Sequence, residues 1–412
     1  MSLQPPITAA LVAPFFADNT LRYLRALAEL PGVRPAVLTQ DQFSHLPADL
    51  QRRLDVVRVP NCLDGAELAQ GCRKLQQHFG RLDVLVGGLE QLQLPMAEAR
   101  ELAGVPGMTV RTARNFRDKA QMKDVLRAAG LPVARHALIE SDADALQFAR
   151  QSGLPMILKP VDGLGSRGTY RITTEAELHA ALKALRPSLD RPAQAEEFVV
   201  GTEQTFETVT IAGKPVWHSG TYYLNRPLEV LENPWMQYCV LLPREANLPE
   251  FEAFRPVNTA ALTALGMDTG LSHMEWFRRN DGSHVISEVG ARPPGVQIMP
   301  LMSLANETDM VARWVRLMVL GQWAPMTRKH AVGVAFFRGQ GKGKRVTAVH
   351  GLDEAQKLVG KLVVDRKLPA VGQPRGDGYE GEGWAILQAD DTASVKEALR
   401  VLVSRVRVEL GS

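Results

Sequence analysis

Short apolar runs alternate with segments of helical period along the first hundred residues. Residues 7–15 are largely apolar, and a helical pattern over 21–30 stops at Pro31-Gly32. Apolar runs recur at 35–39, 56–59 and 84–87, with a second helical pattern, Gly65–Phe79, between the last two. Runs of this length separated by amphipathic helices predict a parallel, doubly wound sheet. No GxGxxG follows the first run; Ala13-Pro14-Phe15-Phe16 stands there instead, which argues against a dinucleotide site in this lobe.

Beyond this lobe the pattern changes. A helix is expected over 118–129, ended by Gly130 and Pro132. Hairpin-like strands follow at 156–159, 170–172, 195–200, 205–211 and 215–219, with a helix over 175–185 among them. Residues 221–250 are rich in proline and poor in periodicity, and predict a long loop or irregular crossover. Antiparallel structure returns at 273–288, then a helix at 307–320, a strand at 332–337 and an amphipathic helix at 392–406. These shifts divide the chain into a parallel α/β lobe (1–113), two α+β segments (114–203 and 204–325) and a C-terminal α+β lobe (326–412). The expected fold class is multidomain α/β and α+β.

Composition adds little beyond class. A chain of 412 residues, 45% hydrophobic and 23% charged, is an ordinary globular protein too long for one core. A net charge of +3 gives no strong pull toward nucleic acid or a membrane surface, so neither is expected as a partner. Cys62, Cys72 and Cys239 show no CxxC pairing, which fits a reducing, cytoplasmic setting. The apolar run near the start is too short to span a bilayer and lacks a basic flank. A Gly- and Lys-rich stretch at 339–345 is expected to be a solvated loop.

The chemistry lies in three places. Asp281-Gly282 is a favoured two-residue hairpin turn. Counting outward from it sets Phe277 opposite Ile286 and Glu275 opposite Glu288. Opposed carboxylates about 5 Å apart at Cβ repel, so they share a proton or a cation, and hard oxygen ligands without Cys or His suit Mg²⁺. Arg292 follows in Gly290-Ala291-Arg292-Pro293-Pro294-Gly295, where a guanidinium can hold a phosphoryl or carboxylate group. Second, the strand ending in Lys159 runs into a loop with Gly163, Gly165, Ser166 and Gly168; glycines let backbone N–H groups approach phosphate. No helix follows directly, so this is not a Walker A motif. Third, Glu196-Glu197-Phe198-Val199 and then Glu203 can read a base edge by backbone and a ribose by carboxylate.

Lys119, Lys159 with its glycine loop, Glu196-Glu197-Phe198-Val199 with Glu203, and Glu275, Glu288 and Arg292 come in an order that resembles the ATP-grasp superfamily. The resemblance covers roughly residues 115 to 320, with the first lobe similar to that family's Rossmann-like N-terminal domain. The motifs His273-x-Glu275 and Glu288-Val-Gly-Ala-Arg292 look most like its carboxylate–amine ligase branch, which includes L-amino-acid (dipeptide) ligases.

The resemblance implies an ATP-dependent ligase that joins a small-molecule carboxylate to an amine through an acyl-phosphate. Lys119 and Lys159 would hold phosphates under the glycine loop (Gly163, Gly165, Ser166), and Lys159 and Arg292 would act in catalysis. Glu196, Glu197, Phe198 and Val199 would line the adenine and Glu203 would hold the ribose. Glu275 and Glu288 would bind Mg²⁺, or Mn²⁺ in its place. Gly290 stands where many members carry a metal-binding asparagine, which leaves one or two metal ions open. His273, Trp276 and Arg292 are the candidates for substrate recognition, together with Tyr222, Tyr223, Trp235 and Met236. By analogy a homodimer is expected. A purine-biosynthesis or biotin-carboxylase-like enzyme is the alternative, and a nucleotide-binding regulator without catalysis ranks below it.

Overall fold

The computed structural model describes residues 6–161, 168–233, 236–376 and 378–411. Four parallel strands, Ile7–Val12, Val33–Thr39, Asp55–Arg58 and Val84–Val86, make the first sheet. Its spatial order is 55–58, 33–39, 7–12, 84–86. Helix Gly65–Phe79 starts at Asp64, whose side chain accepts from the Glu67 N–H, and ends at Gly80 in the left-handed conformation. The strand order reverses direction between 7–12 and 84–86, and ligands of such sheets sit beyond the carboxyl ends of the strands at that point. The short turn Glu90–Leu92 lies there, just after the fourth strand.

Helix Lys119–Ala128 leads into the second sheet, with Asp118 capping the N–H groups of Ala120 and Gln121. That sheet is antiparallel, in the order His136–Ile139, Ala193–Glu197, Met156–Pro160, Tyr170–Ile172. Helices Asp142–Ser152 and Glu175–Leu185 contribute Ala145, Phe148, Leu178 and Leu182 to a core shared with Met156, Leu158 and Ile172. The opposite face is left to the cleft.

The third sheet has eight antiparallel strands. In order they are His284–Gly290, Gly270–Arg278, Thr202–Ile211, Lys214–Tyr223, Tyr238–Leu242, Ala331–Phe337, Gly383–Ala389 and Val363–Lys367. The expected division at 325/326 therefore runs within one sheet: strands 331–337, 383–389 and 363–367 of the C-terminal segment extend it. Among the described residues, only the three-stranded sheet of Gly339–Gln340, Arg407–Gly411 and Arg345–His350 belongs to that segment alone.

Two expectations are corrected. Residues 221–250 are not a long loop. They finish strand Lys214–Tyr223, form helix Pro227–Glu232 and strand Tyr238–Leu242, and start helix Pro249–Leu265. The prolines that hid this regularity sit at element boundaries: Pro227 and Pro249 occupy the first helical turn, where no backbone donor is missed. The hairpin loop is also not two residues long. Gly282 N–H donates to Arg279 O and Arg279 N–H to Ser283 O, so Asn280-Asp281-Gly282 form a three-residue loop in which Gly282 (φ 82°) has positive φ.

Phe277 consequently faces Val285 rather than Ile286. A bulge between Glu275 and Trp276 then shifts the register by one, and Glu275 faces Glu288 as expected. The two offsets cancel.

Side chains alternate along strand Gly270–Arg278, so His273, Glu275 and Phe277 share the cleft face while Met274 and Trp276 point the other way. Trp276 is thus no substrate residue. It is fully buried and stacks on Phe254 at 3.9 Å between ring centroids. Trp276→Ala should cost about 3–5 kcal/mol in urea unfolding through cavity formation. A loss below 1 kcal/mol would contradict this packing role.

Candidate active site

One cleft between the second and third sheets gathers the expected residues. Lys119, Lys159, Glu196, Glu197, Phe198, Val199, Glu203, His273, Glu275, Glu288 and Arg292 all line it. Gly163, Gly165 and Ser166, and Trp235 of the proposed substrate loop, lie outside the described residues.

The cations of the cleft are held by carboxylates. Lys119 Nζ sits 3.1 Å from Glu288 Oε1. Lys159 Nζ is 2.8 Å and Lys123 Nζ 2.7 Å from the same Glu196 Oε1. Burial alone would raise the Glu196 carboxyl, but the two ammonium groups bring it down to about 2. Arg292 donates from Nε (2.9 Å) and pairs through Nη2 (2.7 Å) with Glu90 Oε2, and Arg117 approaches the other oxygen at 3.7 Å.

The carboxylate end is equally structured. The Tyr223 hydroxyl donates to Glu275 Oε1 at 3.1 Å. His273 Nδ1 contacts Glu207 at 2.8 Å, and its Nε2 lies 3.7 Å from Glu275. Burial opposes the charge on His273, but the two glutamates raise it to about 9. Glu203 is pushed up to about 8, by burial first and then by Glu275. A cation near Glu275 would relieve that repulsion.

At the far end, Arg171 lies over the Phe198 ring at 4.3 Å, and Arg226 lies 5.6 Å from Phe198 and 5.3 Å from Phe277. Arg226 also donates to the carbonyls of Val199 and Gly201. Phe198, Val199 and Ile157 give this end of the cleft an apolar lining that suits a heteroaromatic base.

Glu275 and Glu288 fit a hard divalent cation: they oppose each other in register and open onto the phosphate-side lysines. Among the described residues no three or more His, Cys, Asp or Glu cluster as a self-sufficient metal site. Two carboxylates plus phosphate oxygens are what a nucleotide-borne Mg²⁺ requires. The nearest atoms a Cβ at Gly290 would meet are of the Arg292 side chain, at 3.4 Å and beyond, so sterics do not explain the glycine.

Several cleft residues escaped the sequence reading. Lys123 carried a usable signal, one helical turn after Lys119 on the same face. Glu90 follows the strand at the sheet's switch point, another available signal. Tyr379 comes from a distant loop and Arg226 from the misjudged 221–250 region; neither had one.

Fold and site together define an ATP-grasp nucleotide cleft. The family described as carbamoyl-phosphate synthase L chain, ATP binding domain, matches residues 118–195. The D-alanine–D-alanine ligase of Aromatoleum aromaticum is 34% identical over 233 residues, which cover 55% of this chain and 70% of that protein. The chain belongs to the ATP-grasp carboxylate–amine ligase family. The D-alanine–D-alanine ligase of Frankia casuarinae is 32% identical over 209 residues, 47% of this chain and 52% of that one. The first such relatives are matched over about half their length or less. In architecture the chain is similar to the L-amino acid ligase from Bacillus licheniformis, with a TM-score of 0.77 at 19% identity over 99% of this chain and 100% of that one.

The Glu196 carboxyl carries a pH signature. Its folded pKa of about 2 lies below the ordinary 4.5, so the folded state binds fewer protons between those values. Its stabilisation is complete above pH 4.5 and is lost as pH falls through 2, at most roughly 3 kcal/mol. In urea unfolding, the stability advantage of wild type over Glu196→Gln should shrink from pH 6 to pH 3. A constant difference over that range would show that Glu196 is not held ionised by the lysines.

Proposed function

We propose that this protein is an ATP-dependent carboxylate–amine ligase that forms an amide bond between amino-acid substrates through an acyl-phosphate. The observation that carries it is the convergence of Lys119, Lys159, the Glu275–Glu288 pair and Arg292 on one cleft. Mg²⁺ would be held by Glu275 and Glu288, and when bound it neutralises phosphate charge. Among the described residues eight glutamates line the cleft beside six lysines and arginines, so a cation held there would add to the positive charge that meets ATP.

In the first step a substrate carboxylate oxygen attacks the γ-phosphorus, and the bond to the ADP oxygen breaks. In the second the amine nitrogen attacks the acyl carbon and phosphate leaves; the amine's proton goes to solvent or phosphate. Lys119 and Lys159 exchange their glutamate partners for phosphate oxygens and stabilise the charge that accumulates on them. Arg292, held by Glu90 before substrate arrives, steadies the acyl-phosphate. The sheet carrying Lys159 covers the cleft and limits hydrolysis of that intermediate. Glu203 takes the ribose, and Glu196 to Val199 the adenine edge.

Three free, buried cysteines and the absence, among the described residues, of any helix long and apolar enough to cross a membrane agree with work in the cytoplasm, where ATP is supplied. A homodimer is proposed by analogy alone.

Mass spectrometry of the protein with Mg-ATP and the standard amino acids should detect ADP and a new mass of two amino acids less one water. ADP formation only with bicarbonate, formate or a ribonucleotide would instead establish the purine-type or biotin-carboxylase-like alternative. Glu275→Ala and Lys159→Ala should each lower turnover at least about a hundredfold while the protein stays folded. Near-normal turnover in either would remove that residue from the mechanism.

A further inference from the structure

Four pairings decide how much positive charge the cleft has to offer a phosphate chain. Lys119 is matched by Glu288, Arg292 by Glu90, and Lys159 by Glu196. Glu90 is shared as well, with Arg117 3.7 Å from its other oxygen. Glu196 differs in holding two ammonium groups on one oxygen, Lys123 lying 2.7 Å from the Oε1 that Lys159 also contacts. Lys123 is only 1% exposed, on the inner face of helix Lys119–Ala128, one turn beyond Lys119. Its ammonium and the Glu196 carboxylate form an ion pair in the protein interior.

A buried lysine is expensive to desolvate and needs a reason. Tying the helix to strand Ala193–Glu197 is not sufficient: Glu196 already has Lys159 as partner, and an apolar side chain would fill the space at lower cost. Two lysines on one carboxylate leave a surplus of one positive charge. Lys159 sits at the end of strand Met156–Pro160, where the glycine-rich segment begins.

We propose that Lys123 is a positioning residue for nucleotide binding: by neutralising Glu196 from behind, it frees Lys159 to engage the phosphates of ATP. The inference rests on the ligase reading of this cleft. In this proposal Lys123 acts through Glu196 rather than by contact with the reacting atoms. Burial lowers its ammonium to about 8, partly offset by Glu196, so it remains charged at neutral pH. Removing it leaves Lys159 and Glu196 as a closed one-to-one pair, and ATP must then break that pair to bind.

The test measures ATP affinity by calorimetry, with EDTA and with Mg²⁺, so that the readout is independent of turnover. Lys123→Met should bind ATP roughly tenfold more weakly than wild type under both conditions, the order expected for losing one charge-assisted contact. Adding Glu196→Gln should restore most of that loss, because the closed pair no longer exists. A purely structural lysine would give no such restoration.

If Lys123→Met does not fold, the comparison moves to the Glu196→Gln background. There, removing Lys123 should change ATP affinity less than about threefold. Wild-type affinity in folded Lys123→Met, a double variant no better than the single one, or a tenfold loss in the Glu196→Gln background would each overturn the proposal. Wild type that binds no ATP at all would overturn the ligase reading itself, a different result from any of these.

Discussion

The burial of many charges in one cleft is the constraint around which this structure is arranged. A lone ammonium or carboxylate away from water is costly, and the cost falls when opposite charges meet at good geometry. The protein meets this condition with pairs that cross its sheets and lobes. Lys119 on a helix meets Glu288 on the third sheet, and Arg292 meets Glu90 from the first lobe. Lys123 and Lys159 meet Glu196 within the second. Those pairs cross between elements of different sheets, alongside the apolar core that the first lobe shares with the third sheet. They also store the cations next to the space a phosphate chain needs.

Strand geometry makes the arrangement possible. Along Gly270–Arg278 every second side chain faces the cleft, so His273, Glu275 and Phe277 are delivered together while Met274 and Trp276 pack against the helix behind. Thr202–Ile211 repeats the pattern, with Glu203 and Glu207 on one face and Phe206 on the other, against Phe251 and Phe254. An apolar face wide enough to anchor the sheet lets the opposite face hold ionised groups at fixed spacing.

Much of this was legible in the sequence because it depends on local periodicity. The parallel lobe and helix Gly65–Phe79 follow from patterns a few residues long, whereas the pairing of Glu275 with Glu288 comes out right because two offsets cancel. What failed was what distant contacts decide. Pro227 and Pro249 look like breakers in isolation, yet they open helices that pack on the sheet. Trp276 looks like a substrate aromatic until the stacking with Phe254, supplied from another helix, is known. Tyr379 reaches the cleft through a loop whose ends are pinned by Glu382, which accepts from the backbone N–H groups of Gly339 and Gly376. No local pattern encodes that.

The hairpin shows why the functional pairing survived an error in the loop. Asp281 accepts from the N–H and hydroxyl of Ser283, which stabilises a three-residue loop ending in left-handed Gly282 rather than the tighter two-residue turn. That loop alone would leave the strands one residue out of the register that opposes the two glutamates, and one strand would turn its charges toward the apolar layer. The bulge beside Glu275 restores the expected register from the Glu275–Glu288 pair onward, through Met274–Val289 and His273–Gly290, while the pairs nearer the loop stay one residue out. A bulge interrupts the ladder and carries a cost, so its position at the carboxylate pair ties the local irregularity to the site. The turn sets the loop, but the opposition of Glu275 and Glu288 is set by the bulge.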